Sequence, residues 1–93
     1  MPPRIPGVSF ADAFGLFRRF GWEFSHQNGS HVHMVNSDGS YITIPRHDQR
    51  DINANLLGQI VEDAGIDHDH FLWGLGRADR NGRRAPRGWR PGA

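Results

Sequence analysis

Six histidines are the side chains of this sequence best suited to chemistry. Imidazole titrates near neutral pH, so one ring can accept a proton at one step and donate it at another. His31 and His33 stand two residues apart, the spacing that puts both on one face of a strand. His26 precedes them and His47 follows them. In-line cleavage of RNA needs little more. A base takes the proton from a ribose 2′-hydroxyl, and an acid protonates the departing 5′ oxygen. One or two positioned histidines with cationic support can do this without a metal, and proton transfer by a positioned group is worth roughly 10²–10⁴-fold.

Each histidine also has a plain reading. His31, after Gly29 and Ser30, fits an ordinary exposed strand residue. His33 fits a surface residue paired with Glu23, and His47 a solvated loop residue. His68 and His70 are i and i+2 in a short helix, do not share a face, and read as surface residues. His26, His31 and His33 together could hold a metal, but the register below puts His26 on the other face. No metal and no cofactor are therefore expected. The chain has no cysteine, which excludes disulfide scaffolds, cysteine zinc fingers and thiol catalysis and fits a cytoplasmic setting. No apolar run reaches the length of a membrane span, and the opening MPPRIPG is unlike a signal peptide.

The elements that must position these rings follow from periodicity. Ser9 starts a helix, with Asp12 three residues on. Phe10, Ala13, Phe14, Phe17 and Phe20 recur at helical spacing, and Gly21 ends the run. From Trp22 to Pro45 the period becomes two. Gln27-Asn28-Gly29 and Ser37-Asp38-Gly39 fit three-residue hairpin loops. The first loop pairs Phe24 with Val32 and Trp22 with Met34. The second pairs Met34 with Ile42 and Val32 with Ile44. One face is then apolar and the other carries Glu23, Ser25, His31, His33, Tyr41 and Thr43. His31 faces Ser25 and Pro45 across the ladder, within approach of His47. After a polar loop, RHDQRDIN, a second helix starts near Asn53 or Asn55 and ends at Gly65, its stripe Leu56, Leu57, Ile60, Val61 and Ala64. Asp67 caps a short third helix with Phe71, Leu72 and Leu75. The order α-β-β-β-α-α predicts an α+β fold like the double-stranded-RNA-binding domain, a three-stranded antiparallel sheet with helices on one face.

The formal net charge of +1 divides unevenly. Residues 1–76 carry five Arg against nine acidic residues, a net of −4, whereas residues 77–93 carry six Arg against Asp79, a net of +5. The reading is a folded domain over 1–76 and a Gly-, Pro- and Arg-rich tail over 77–93, expected to be disordered because it offers little to bury against its ordering entropy. Its arginines and Trp89 suit phosphates and bases. A body of net −4 is a poor electrostatic host for RNA, whose non-specific affinity comes from phosphate contacts.

Several short pieces occur in a telling order: R-I-P-G-V-S from Arg4, F-G-W at Phe20–Trp22, Q-N-G-S-H at Gln27–His31, I-T-I-P-R-H at Ile42–His47, R-D-I at Arg50–Ile52, and N-L-L-G-Q-I-V-E-D-A-G-I at Asn55–Ile66. Over Arg4 to about Leu75 the chain resembles the HicA (YcfA-like) family, small ribonuclease toxins of toxin–antitoxin pairs. The resemblance implies metal-independent cleavage of mRNA and a HicB-like antitoxin that covers the active site. It places the catalytic histidine at His31, with Gly29 and Ser30 completing the motif and His47 in a supporting role. Arg46, Arg50, Arg77, Arg80, Arg83 and Arg84 are the expected RNA-binding residues. Two other readings stay open: a non-catalytic RNA-binding module, and an inactive toxin relic that binds an antitoxin-like partner.

Overall fold

Each helix begins and ends on a local signal. Ser9 Oγ accepts from the Asp12 amide at 3.1 Å and opens α1, Phe10–Arg19. Asn53 accepts from the Asn55 and Leu56 amides at the start of α2, Ala54–Asp63. Asp67 accepts from the Asp69 and His70 amides at the start of α3, His68–Gly74. Such caps supply partners for amides that the first turn leaves unpaired. The endings share one pattern. Gly21, with φ +99°, donates to Arg18 O, and Trp22 donates to Phe17 O. Gly65 with Ile66, and Gly76 with Arg77, make the same pair of bonds behind α2 and α3. This is the Schellman arrangement, with a left-handed residue just past the helix. The computed structural model describes residues 7–92; the segment before Gly7, including Arg4, lies outside the described residues.

Between α1 and α2 lie β2 (Glu23–Asn28), β3 (His31–Val35) and β4 (Tyr41–Pro45), an antiparallel sheet in that order. The second hairpin has the expected register, with Val32 opposite Ile44 and Met34 opposite Ile42. Its Ser37-Asp38-Gly39 loop is closed by Asn36 N donating to Ser40 O at 3.1 Å. The first hairpin differs. Its loop is the two-residue Gly29-Ser30, Asn28 faces His31, and Gln27 faces Val32. Gly29 has φ +56° at the first central position, where a II′-type turn needs a positive φ. The register then shifts between Phe24 and His26, so that Phe24 faces Met34. This bulge inserts one residue into β2 and restores the parity that the shorter loop disturbed. Phe24 thus keeps the helix side, while Gln27 takes an apolar partner. The edge position of β2, exposed along its length, tolerates that mismatch.

The polar loop after β4 is not wholly irregular. β5 (Asp51–Ile52) pairs antiparallel with β1 (Val8–Ser9), and Val8 and Ile52 are buried opposite each other. The core between the helices and the sheet is entirely apolar among the described residues and includes Phe17, Trp22, Met34, Ile44, Leu57, Val61 and Phe71. α3 lies close to α1. A Cβ at Gly74 would stand 2.6 Å from Leu16 Cδ1.

Beyond Arg77 the described chain forms no helix or strand and makes a few contacts with the body. Trp73 Nε1 donates to Arg83 O at 3.1 Å, and Arg84 Nη1 donates to Gly76 O at 2.7 Å. The Asp79 carboxylate accepts from the Asn81 and Arg83 amides, both at 2.9 Å. Trp89 packs on Trp73, His70 and Phe20 at centroid distances of 5.5, 5.8 and 6.4 Å. One tryptophan of the tail is thus docked on an aromatic ledge of the body.

Candidate active site

His31 is the first residue of β3, immediately after the Gly29-Ser30 turn, and its side chain is exposed. Its place is fixed by backbone on both sides. Asn28 faces it from β2 and Pro45 from β4. The turn itself is braced, since Gln27 Nε2 donates to Gly29 O at 2.8 Å and the Arg46 amide donates to Ser30 O at 2.6 Å. Gly29 and Ser30 therefore aim the histidine, and the exit of β4 is tied to the same turn.

Arg46 is the cation this tie brings to the corner. Its guanidinium lies 5.1 Å from the Phe10 ring centroid, a cation–π contact. Its Nε donates to Asp48 Oδ1 at 3.1 Å, and Nη1 makes a long 3.5 Å contact with Gln27 Oε1. The pairing with Asp48 is exposed, so solvent weakens it and an incoming anion can compete for the guanidinium. His47 O accepts from the Arg50 amide at 3.1 Å, which bends the chain so that residues 46–50 line a shallow, open depression. Both charged ends of this loop, Arg46 and Arg50, are exposed. No hydrogen bond joins His47 to His31 among the described residues. A wide, shallow surface of this kind suits a polymer better than an enclosed small molecule.

The other histidines depart from expectation in an informative way. His33 faces Thr43, as its register on β4 requires, and the Thr43 hydroxyl lies 3.0 Å from His33 Nδ1. Across β2, however, His33 faces His26 and not Glu23, which is opposite Val35. His31 likewise faces Asn28 and not Ser25. The short turn moved His26 onto the open face, where its ring stacks on His33 at 4.4 Å and 15°. Ser25 Oγ lies 3.1 Å from His26 Nδ1. Near-parallel rings direct their lone pairs side by side, which is a poor way to share one tetrahedral ion. Among the described residues no group of three or more His, Cys, Asp or Glu is arranged to hold a metal. His68, expected at the surface, is half-buried beside Gly58 with its Nδ1 unpartnered, while His70 is exposed and joins the Trp89 cluster.

The tail arginines are not gathered at His31. Arg46 covers Phe10, the first residue of α1, whereas Trp89 and Gly92 pack at Phe20, just past its last residue. At about 1.5 Å per residue those points are roughly 15 Å apart. Arg80 pairs with Asp69 of α3 at 3.6 Å, Arg84 with the Gly76 carbonyl, and Arg77 and Arg83 stay on the same helix side. The signal that could have placed His26 correctly was Gly29-Ser30 itself, a Gly-X pair of the kind that II′ turns use. The signal for the tail's contact with the body was Trp89, a large ring within reach of a helix rich in aromatic residues.

No helix among the described residues is long and apolar enough to cross a membrane. No curated protein matches the chain. The family model for the HicA toxin of bacterial toxin–antitoxin systems matches residues 11–66, from α1 through both hairpins to the end of α2. That span is well over half of the 93 residues and contains His31 with its bracing turn. With the three-stranded sheet and the helices on one face of it, this match establishes that the chain belongs to the HicA toxin family.

Proposed function

We propose that this toxin is an endoribonuclease that cleaves mRNA by metal-independent acid–base catalysis at His31. The observation that carries the reading is the placement of one exposed imidazole at a backbone-braced strand start, with the Arg46 amide bonded to the same turn. A ribose 2′-hydroxyl gives its proton to the neutral ring, and its oxygen bonds to the adjacent phosphorus. The bond from phosphorus to the 5′ oxygen breaks, and that oxygen takes up a proton, leaving a 2′,3′-cyclic phosphate and a 5′-hydroxyl. His31 serves as the base or the acid of this exchange, and His47 is a supporting group on the neighbouring loop. Arg46 and Arg50 hold the phosphate, where fixed positive charge opposes the charge that develops on its oxygens. The partner is a HicB-like antitoxin that covers the exposed corner, and the setting is the cytoplasm.

The body's net charge of −4 favours a second reading, an RNA-binding module or toxin relic without catalysis that still meets an antitoxin-like partner. Incubation with RNA in excess EDTA decides between them. Cleavage by the parent and none by a folded His31→Ala protein supports the nuclease. Intact RNA that shifts in a gel supports the binding module, and cleavage that survives His31→Ala removes His31 from the mechanism.

A further inference from the structure

The residues beyond the family match form a second charged surface whose backbone is held in place. From Arg77 to Arg90 the chain carries six arginines, every one exposed, against the single acid Asp79. That acid accepts from the Asn81 and Arg83 amides, so it caps a turn, and it makes no ion pair with a guanidinium among the described residues. Arg80 leans on Asp69 and Arg84 on the Gly76 carbonyl, while Arg77, Arg83, Arg87 and Arg90 have no side-chain ion pair among the described residues. The backbone beneath them is clasped at two points. Trp73 Nε1 holds Arg83 O, and the Trp89 ring sits among Phe20, His70 and Trp73.

We propose that this strap is a separate binding site for the sugar–phosphate backbone of single-stranded RNA, which it holds while another part of the same strand reaches His31. The choice of RNA as the polyanion rests on the ribonuclease reading above. Two observations favour it over an acidic protein. The large exposed apolar side chains among the described residues are Phe24, Tyr41 and Leu56, none of them on the strap. A protein interface would therefore have no apolar centre to bury there, whereas a phosphate chain needs only the charges. The strap is also anchored at the opposite end of α1 from Arg46. A strand that engages both must cover about 15 Å at 1.5 Å of helix rise per residue. That is about four nucleotides at a stacked spacing of roughly 3.4 Å each, well beyond a dinucleotide's single phosphate. The strap thus makes affinity depend on RNA length without altering the chemistry at His31.

The test uses the full chain and a 2′-O-methyl oligonucleotide, which cannot be cleaved, with binding followed by fluorescence anisotropy across a salt series. Replacing Arg83, Arg87 and Arg90 together by Ala should lower the salt slope for a twelve-nucleotide probe by roughly 0.7 per lost contact, about two in all. A dinucleotide probe should show no change. Trp89→Ala, which leaves the charge intact, should weaken twelve-nucleotide binding, and Trp89→Phe should restore it. An unchanged slope in the triple variant overturns the proposal, and so does competition by polyglutamate as strong as that by RNA. The readout is independent of cleavage. A parent that binds with the expected slopes but cuts nothing refutes the nuclease and leaves the strap. A parent that cuts but ignores the triple substitution does the reverse.

Discussion

The His31 corner and the arginine strap lie at opposite ends of α1 and are held by different means. The corner is positioned chiefly by main chain: two ladder partners, a two-residue turn, and the hydrogen bond of the Arg46 amide into that turn. The strap is positioned by side chains, chiefly one tryptophan among three rings. Proton transfer demands the first kind of support, because a general acid or base must lie within hydrogen-bond reach of the atom it serves. Attraction of a polyanion tolerates the second, because charge acts over a Debye length of about 8 Å in physiological salt. On the two proposals, precision lies inside the family domain and long-range attraction outside it.

The sharpest way to break that contrast is His31→Ala. Cleavage of RNA in EDTA should fall roughly 10²–10⁴-fold, with an unchanged far-UV spectrum and melting curve. Retained cleavage would show that the corner is not where precision matters. Next in size is Gly29→Val. A β-branched residue at φ +56° costs on the order of 1–2 kcal/mol. The variant should melt earlier and cleave less, yet keep the salt slope that the strap provides. Trp89→Ala probes the other side. Each ring pair is worth about 0.5–1.5 kcal/mol where fully formed, and this one is half-exposed. Trypsin should cut after the tail arginines sooner, while cleavage of a dinucleotide substrate stays at the parent rate. Equal loss of both activities would merge the two regions into one site.

The smallest effect lies in neither region and serves as a control. At the far hairpin loop the Ser40 hydroxyl and amide, with a smaller contribution from Asn36, hold the Asp38 carboxyl below its usual value of 3.8. A lowered folded value means that the ionised turn adds stability above that usual value and loses it as the pH falls through the lowered one. Asp38→Asn should flatten this slight acid-side loss of thermal stability and leave RNA binding untouched. A changed salt slope in that variant would mean that the acidic body, and not the strap, governs attraction.

Much of this was legible in the sequence because its signals are local. Ser9, Asn53 and Asp67 each cap the helix they precede, and Gly21 and Gly65 each follow one. The β3–β4 register followed from hydrophobic alternation. The β2–β3 register did not, because Asn28-Gly29 and Gly29-Ser30 offer rival turns and a bulge hides the choice. Phe24 faces the helices under either register, so hydrophobic alternation does not distinguish the two turns. His26 therefore lay on the wrong face, and its stack with His33 went unforeseen. β1 and β5 were missed because a two-residue ladder has no period to read. His31 is a candidate on its motif alone; its bracing by Gln27 and Arg46 needed the fold. The contacts of the tail were not legible in its own residues, because the rings that Trp89 meets belong to α3 and the end of α1.

Gly74 gives this arrangement one further consequence. It stands next to Trp73, half of the clasp on the strap, and a methyl group there would meet the buried Leu16 side chain at 2.6 Å. The bare position works as a shim of zero thickness between α1 and α3. A side chain added to it would require Leu16 to move, and if the packed Leu16 cannot yield, α3 must shift with the tryptophan ledge on it. A change at this one helix contact, touching no charge and no histidine, would then reach the row of arginines that the ledge supports.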